Sequence, residues 1–207
     1  MTLITKSNLI LIDDIDIKLH LSTITNEENE LFQFANQKAE LEKLKTITAP
    51  QKRLEYLTSL RLVKQQFGKN SVLSKNKYGA PFINGEAKYV SLSHSFPKVV
   101  LAFSDYVCGV DVEEIKPKVL RIASKFLNPF EIEQTENTST KTTLFWSAKE
   151  TIFKIYQKGA VDFKDHIHLK LLDDESIKAQ FLKENGFEII LKYKVLEPYV
   201  LVYGVLK

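Results

Sequence analysis

The sequence predicts an α+β fold built from two similar halves. Strand and helix patterns come in blocks along the chain, first a strand region with helices, then strands, then helices, then strands again. With 207 residues, of which 44% are hydrophobic, the chain can bury one large core or two smaller ones. The expected joint lies between Asp105 and Asp111, and it divides the chain into residues 1–105 and 106–207.

The N-terminal half begins with period-two alternation in "LILIDDIDIKLHL", which predicts a strand or a hairpin. Helical spacing follows in "NEENELFQFANQKAELEKLK", where Thr25 and Glu28 have the spacing of a capping box. A second helix is expected from Thr48, with Gln51 completing another box, and Gly68 should end it.

Three further strands are expected at "YVSLSHS", "KVVLAFSD" and "YVCGVDVEE", and the last two are close enough in sequence to pair as a hairpin. A short helix is expected at "KVLRIASKFL", and Asn128 with Glu131 has the spacing of another helix start. The polar stretch "QTENTSTKTT" is typical of a linker. Three strands, "HIHLKLL", "FEIILKYKVL" and "YVLVYGVLK", then complete the chain, with "ENG" as a turn between two of them.

The composition limits the classes of function and location. A single cysteine, Cys108, cannot form an intramolecular disulfide, which suits a reducing compartment, and we expect a cytoplasmic protein. The apolar run near the N-terminus is interrupted by Asp13 and Asp14, so it is too short for a membrane span and wrong for a signal peptide. The net charge of +3 gives little electrostatic support for nucleic-acid binding.

The segment "FWSAKETIFKIY" predicts a helix with an apolar face and a charged pair. Glu150 and Lys154 are one turn apart, on the side away from the apolar residues. The simplest interpretation of this pair is a solvated ion pair that stabilises the helix by a few tenths of a kcal/mol. The residues of the apolar face are Phe145, Ala148, Ile152, Ile155 and Tyr156.

Two acids in "CGVDVEE" point to the same side of a predicted strand. Asp111 and Glu113 are two residues apart, which places their side chains roughly 7 Å apart on one face. One interpretation is a half-exposed strand with a polar outer face. The alternative is a cation site with oxygen ligands only, which selects Mg²⁺, or Mn²⁺ as a substitute. If Glu150 faces this strand, three carboxylates converge, and the implied substrate is a phosphate ester or pyrophosphate.

Basic residues elsewhere could hold such an anion. Lys52 and Arg53 are expected in the first turn of a helix, where they reinforce its attraction for anions, although they could equally be solvated side chains. His94 ends the strand "SLSHS" among hydroxyl groups, where a histidine is more often a surface or capping residue than a ligand.

Taken together, "SLSHS", "GVDVE" and "WSAKETIFK" resemble the motifs of the 4′-phosphopantetheinyl transferases, specifically the monomeric class that activates peptide and polyketide synthases. Weaker similarity occurs at "QKRLEYLTSLRLVK" and "KYGAPFI". The resemblance implies a pseudo-symmetric fold of two halves, each a small, mostly antiparallel sheet packed with helices, with coenzyme A between them. The N-terminal half would contact the nucleotide, and the C-terminal half would carry the metal site and the catalytic helix.

The resemblance also assigns roles to individual residues. It implies that Asp111, Glu113 and Glu150 hold magnesium, and that Glu150 and Lys154 are catalytic, with Glu150 as the base directly or through a metal-bound water. Ala80 departs from the family pattern, which usually has a lysine or arginine there, and Lys77 could compensate. The implied contacts to coenzyme A are Arg53, Lys77, Tyr78, Gly79, Pro81, Ser93, His94, Lys149 and Lys154.

The implied reaction transfers 4′-phosphopantetheine from coenzyme A to a serine of an apo acyl or peptidyl carrier protein and releases 3′,5′-ADP. Two alternatives remain open, a non-catalytic relative that binds coenzyme A or a carrier protein, and another Mg²⁺-dependent phosphoryl-transfer enzyme. Two halves in one chain favour a monomer. We also expect at least one of Phe126, Leu127 and Phe130 to be exposed and to dock the carrier, with Lys118, Arg121 and Lys125 attracting its acidic residues.

Overall fold

The computed structural model describes residues 2–6, 9–25 and 27–207, with side chains from residue 9 onward. Antiparallel sheets packed with helices confirm the predicted α+β class. The chain divides into two compact units, the first ending at Tyr106 and the second spanning Val107–Lys207. The roles expected for the two halves stay predictions.

The N-terminal unit contains a five-stranded antiparallel sheet in the order β1-β2-β3-β7-β6 and a separate β4-β5 hairpin. The long helix α3 packs on β7 of the sheet and on the short helix α1. The strands are β1 (Thr2–Lys6), β2 (Leu9–Asp14), β3 (Ile17–Thr23), β4 (Leu73–Lys75), β5 (Pro81–Ile83), β6 (Tyr89–Ser95) and β7 (Lys98–Ser104), and the helices are α1 (Glu28–Phe32), α2 (Lys38–Lys45) and α3 (Pro50–Phe67).

The helix predicted after Thr25 is wrong in its extent, because the structure has two short helices there. The first has no side-chain cap, and the capping box belongs instead to Gln37 and Glu40 at the start of α2. The Glu40 carboxylate also pairs with Lys64 of α3 at 3.0 Å, in a fully buried contact. This tertiary ion pair fixes the start of α2, and helical periodicity alone could not reveal it.

Helix α3 matches the prediction at its end more closely than at its start. It ends at Phe67, and Gly68 adopts φ 99°, the backbone region that favours glycine. The N-cap is Ala49, without a side-chain hydrogen bond, so the capping box predicted from Thr48 and Gln51 is wrong. Pro50 at the first helical position starts the helix instead.

The C-terminal unit contains a second five-stranded antiparallel sheet, in the order β8-β12-β11-β10-β9. The long helix α6 packs on β8 and β12. The strands are β8 (Val107–Glu114), β9 (Ile167–Leu171), β10 (Ser176–Phe181), β11 (Phe187–Leu196) and β12 (Tyr199–Leu206), and the helices are a 3-10 helix (Pro117–Ile122), α4 (Ala123–Phe126), α5 (Pro129–Gln134), α6 (Ser139–Tyr156) and α7 (Phe163–His166).

Three expectations for this unit are corrected. Strand β8 pairs with β12 and not with β7, so the predicted hairpin is wrong. The sequence reasoning missed β10, and the "ENG" turn joins β10 to β11. The linker-like stretch contains the start of α6, which Thr138 caps by accepting the Lys141 N–H. The capping box at Asn128 and Glu131 is confirmed.

The core of the C-terminal unit lies between α6 and one face of the sheet. Phe145, Ala148 and Ile152 are fully buried, as the apolar face predicted, and they pack with Leu191 and Val202 of the sheet. Thr142, Ser147, Lys149 and Thr151 of α6 are buried as well, so the helix is enclosed on most of its sides. Among the described residues, no helix is long and apolar enough to cross a membrane.

Candidate active site

The two acids of β8 lie on the sheet face that α6 covers. Asp111 is opposite Val202 of β12 and Glu113 is opposite Val200, so both acids share the side of these core residues. Asp111 is only 3% exposed, while Glu113 is half-buried near the end of the strand. The alternation of β8 therefore directs both carboxylates toward α6. The alternative interpretation, in which β8 is a half-exposed strand with a polar outer face, is wrong.

A glycine allows α6 to approach β8 closely. A Cβ added to Gly109 would lie 2.5 Å from the backbone oxygen of Thr151 and 2.8 Å from Ile155 Cγ1. Because neither contact is sterically possible, any larger residue at Gly109 would push the helix away from the strand. The Thr151 hydroxyl also donates a hydrogen bond to the Val202 carbonyl at 3.3 Å. The sequence reasoning did not identify this packing role, since an isolated glycine in a strand has several explanations.

Lys154 links the helix to the strand. Its Nζ donates to Asp111 Oδ1 at 2.7 Å and to the Val110 carbonyl at 2.9 Å. The side chain of Lys154 is 23% exposed and that of Asp111 is 4% exposed, so the ion pair is largely shielded from water. Lys154 is thus paired with a strand acid, which excludes the interpretation of a simple solvated pair with Glu150.

The pKa of Glu150 is raised by its surroundings. Burial, together with the negative charges of Asp111 and Glu113, raises the pKa of Glu150 to about 7, and Lys154 partly offsets this. Three carboxylates therefore lie close enough for their charges to interact. Like charges in one site favour either protonation or a bound cation.

Trp146 supports the same group of acids. Its indole Nε1–H donates to Glu113 Oε1 at 3.3 Å, and its ring packs edge-on against Phe126 with centroids 5.0 Å apart. Trp146 is the single tryptophan of the chain. Its contact with Glu113 depends on the packing of α6 on β8, so the local pattern contained no signal for it.

The donor set of this site fits a magnesium ion. Asp111, Glu113 and Glu150 offer carboxylate oxygens only, which is the ligand type that Mg²⁺ prefers. As the side chains stand, no group of three or more His, Cys, Asp or Glu residues within the described ranges has the arrangement of a metal site. The Lys154 ammonium contacts one oxygen of Asp111, Oδ1, at 2.7 Å.

Lys149 has a different role from the one that the resemblance implied. Its side chain is fully buried, and its Nζ donates to Glu131 Oε2 and to the carbonyls of Phe163 and Ile167, at 2.7 to 2.8 Å. An ammonium has three N–H donors, and all three are used here. We therefore correct the expectation that Lys149 contacts coenzyme A, because it has no donor left for a ligand.

Residues 107–203 match a profile described as the 4′-phosphopantetheinyl transferase superfamily. This match covers most of the C-terminal unit, which is therefore similar to the superfamily. Three relatives from bacilli show the same likeness. A "4′-phosphopantetheinyl transferase" of Bacillus subtilis is 29% identical over 131 residues, which cover 60% of this chain and 58% of the relative.

The two other relatives match over shorter or similar lengths. The "4′-phosphopantetheinyl transferase gsp" of Aneurinibacillus migulanus is 32% identical over 44% of this chain and 40% of the relative. The "4′-phosphopantetheinyl transferase Sfp" of Bacillus subtilis strain 168 is 28% identical over 59% of this chain and 57% of the relative. The matches therefore span from less than half to just over half of the length of these superfamily members.

The residues that the superfamily resemblance assigns to coenzyme A in the N-terminal unit lie outside the matched 107–203 segment. Ser93 is buried and His94 is exposed at the end of β6. His94 Nδ1 lies 3.2 Å from Glu55 Oε2 of α3, and the same oxygen accepts from Lys52 Nζ at 2.8 Å. A buried carboxylate thus holds His94 and Lys52 together.

Arg53 is used largely within the fold. Its guanidinium contacts Glu28 Oε1 through Nε at 2.9 Å and through Nη2 at 2.5 Å, and its Nη1 donates to the carbonyls of Leu44 and Ile47. The Glu28 carboxylate raises the pKa of Arg53. Four of the five guanidinium N–H groups therefore have protein acceptors, and a nucleotide phosphate would have to compete with Glu28.

The loop that carries the other assigned residues has a defined shape. The Asn76 side-chain oxygen accepts from the backbone N–H groups of Tyr78 and Ala80, at 2.9 and 3.0 Å, and Gly79 adopts φ 90°. Lys77 Nζ lies 4.8 Å from the centroid of the exposed Tyr78 ring. Pro81 then begins β5. Lys77 and Tyr78 are thus both presented outward at the tip of the β4-β5 hairpin.

Proposed function

We propose that the protein transfers the 4′-phosphopantetheine group of coenzyme A to a serine of an apo carrier protein. The observation that supports this most directly is the convergence of Asp111, Glu113 and Glu150 with Lys154, within the segment that the superfamily profile matches. A non-catalytic relative would have no need to maintain three acids whose mutual repulsion destabilises the fold.

In the proposed reaction, the serine Oγ forms a bond to the pantetheine-side phosphorus of coenzyme A. The bond from that phosphorus to the bridging oxygen breaks, and the electron pair leaves with 3′,5′-ADP. Asp111, Glu113 and Glu150 would hold Mg²⁺, which supplies positive charge to the pyrophosphate. Lys154 would exchange its contact with Asp111 for one with the transferred phosphate, since its side chain is partly exposed and long.

Glu150 is the proposed acceptor of the serine proton. Its carboxyl is half-buried on α6, and without a metal its pKa is raised to about 7. The charged form predominates once a cation lies beside it. Glu150 would therefore be present in the carboxylate form that a proton acceptor requires.

In this proposal, the N-terminal unit binds the nucleotide through Ser93, His94 and the loop that carries Lys77, Tyr78, Gly79 and Pro81. The His94–Glu55 contact and the order within the loop support it. Arg53 is a weaker contributor, because its guanidinium is already engaged by Glu28.

The carrier protein is proposed to dock on the surface that follows β8. Phe126 and Leu127 are buried in the core, whereas Phe130 is 55% exposed. The chain near it presents Lys118, Arg121 and Lys125, all exposed. An exposed apolar side chain that follows three exposed basic residues in the sequence suits a partner with an acidic, partly apolar helix. We call Phe130 with these three basic residues the basic–apolar surface.

Mass spectrometry of a carrier protein tests the proposed function. The protein is incubated with coenzyme A, Mg²⁺ and an apo carrier, and the carrier should gain the mass of one phosphopantetheine group. The Glu150→Gln variant should lose at least 100-fold in rate while it stays folded. Binding of coenzyme A without any mass gain would indicate a non-catalytic relative, and turnover of another phosphoester without carrier modification would indicate a different phosphoryl-transfer enzyme.

A further inference from the structure

A fully buried ion pair lies directly beside the proposed base. Lys149 precedes Glu150 on α6, and its Nζ lies 2.8 Å from Glu131 Oε2, with neither side chain exposed. Burial lowers the pKa of Lys149, and the charge of Glu131 opposes this. The pair is fully enclosed and hydrogen-bonded, whereas Glu150 is half-buried.

The pair joins four separate segments of the C-terminal unit. Glu131 of α5 accepts from the backbone N–H of Asn128 at 2.9 Å and from that of Leu169 in β9 at 2.8 Å. Lys149 of α6 donates to the carbonyls of Phe163 in α7 and Ile167 in β9. Every N–H of the ammonium and both carboxylate oxygens are used, so the helix cannot turn about its axis without breaking several of these contacts.

Rotation of α6 would displace the acid that follows. Side chains extend about 5–6 Å from a helix axis, so a rotation of about 20° would move the end of a side chain by about 2 Å. A misplacement of about 1 Å can reduce a rate by about 10²-fold. Any group that fixes the rotation of α6 therefore controls where Glu150 and Lys154 lie relative to Asp111.

Stability alone is a weak reason for such a pair. A buried ion pair can often be replaced by apolar residues of similar volume without a loss of stability, because removing two charges from water is costly. Directional hydrogen bonds, unlike apolar contacts, fix the rotation of α6 about its own axis.

We propose that the Lys149–Glu131 pair positions α6, so that Glu150 and Lys154 meet the acids of β8 in one fixed arrangement. The catalytic part of this inference rests on the proposed function. The structural part does not, because Trp146, the single tryptophan of the chain, donates to Glu113 and reports on the packing of α6 against β8. Lys149 and Glu131 are positioning residues that touch no substrate.

The test replaces the ion pair by apolar residues of similar size, in the double variant Lys149→Met/Glu131→Leu. We expect the melting temperature to fall, because two backbone N–H groups and two carbonyls lose their partners. At a temperature where the variant is folded, kcat should fall at least tenfold while the KM for coenzyme A stays within twofold. Quenching of Trp146 fluorescence by acrylamide should rise at least twofold in the same variant, because the indole loses its fixed contact with Glu113.

A matched control exists in the N-terminal unit. Lys64 and Glu40 form a similar pair at 3.0 Å, with both side chains at most 3% exposed. The variant Lys64→Met/Glu40→Leu removes the same kind of interaction far from Trp146 in sequence, and it should leave both kcat and Trp146 quenching within twofold of wild type. If it lowers kcat and raises quenching as the test variant does, the positioning role is overturned.

Two further outcomes decide the inference. Unchanged Trp146 quenching, or a kcat within twofold of wild type, in a folded Lys149→Met/Glu131→Leu protein would overturn it. Should that variant fail to fold, the near-isosteric Glu131→Gln variant is measured by the same two criteria. If the wild-type protein modifies no carrier, the proposed function fails, and Trp146 quenching still decides whether the pair positions α6.

Discussion

The ammonium of Lys154 in α6 lies 2.7 Å from Oδ1 of Asp111, a buried acid of β8. This contact neutralises part of the repulsion among Asp111, Glu113 and Glu150. It also shows which group stands beside Asp111 when no other cation is present, and it leads to the first prediction.

Replacement of Lys154 should destabilise the metal-free protein. In Lys154→Met, the largely buried Asp111 loses its ammonium partner, and we expect a loss of about 1–3 kcal/mol in the free energy of unfolding. Urea denaturation in a chelator measures it. The control Lys158→Met removes an exposed pair with Glu184 and should cost less than about 1 kcal/mol. Equal losses in the two variants would contradict the interpretation of Lys154 as the counter-ion of Asp111.

The stability of the metal-free protein should depend on pH through Glu150. Its pKa rises from 4.5 to about 7 on folding, so the native state binds the proton more tightly. Stability from this group is therefore present below pH 4.5 and is lost as pH rises through about 7. Glu150→Gln should match wild type near pH 4.5 and exceed it above pH 7, by about 1–3 kcal/mol after solvent screening.

Thermal unfolding in a chelator at several pH values measures this difference. Glu133→Gln, which changes an exposed acid of α5, serves as the control and should show the same small effect at every pH. A Glu150→Gln variant that gains no stability between pH 5 and 8 would show that the three acids do not interact as described.

Substitutions in the basic–apolar surface should weaken the binding of the carrier and not that of coenzyme A. Phe130→Ser, or the combined replacement of Lys118, Arg121 and Lys125 by Ser, should raise the KM for the carrier about tenfold and leave that for coenzyme A unchanged. Steady-state kinetics with each substrate varied in turn measures both constants. Leu172→Ser, at an exposed apolar residue that follows β9, should change neither. Equal increases in both KM values would place the docking surface elsewhere.

Lys77 should supply the positive charge that Ala80 lacks. A Lys77→Ala variant is expected to bind coenzyme A about tenfold more weakly, and Ala80→Lys should restore much of the loss in the double variant. Isothermal titration calorimetry measures both affinities. Lys75→Ala, at an exposed lysine of β4, is the control and should change the affinity less than twofold. No change in Lys77→Ala would disprove the compensation while leaving the transferase proposal intact.

Features that depend on neighbouring residues were predictable from the sequence. The alternation of β8 placed Asp111 and Glu113 on one side, and the one-turn spacing of α6 placed Lys154 beside Glu150. The capping box at Asn128 and the helix end at Gly68 were likewise correct. All of these follow from strand and helix periods or from hydrogen bonds over three or four residues, which the sequence expresses directly.

The tertiary structure decided the features that join distant segments. Strand β8 pairs with β12, about ninety residues away in sequence, rather than with the adjacent β7. Gly109 is required only because the backbone of Thr151 in α6 packs directly against it. The local sequence around Lys149 was compatible with a ligand contact. In the structure, however, its three N–H groups donate to Glu131 and to two backbone carbonyls. Local sequence patterns specify which residues share a face, whereas their partners depend on long-range packing, because no short-range period specifies which faces meet.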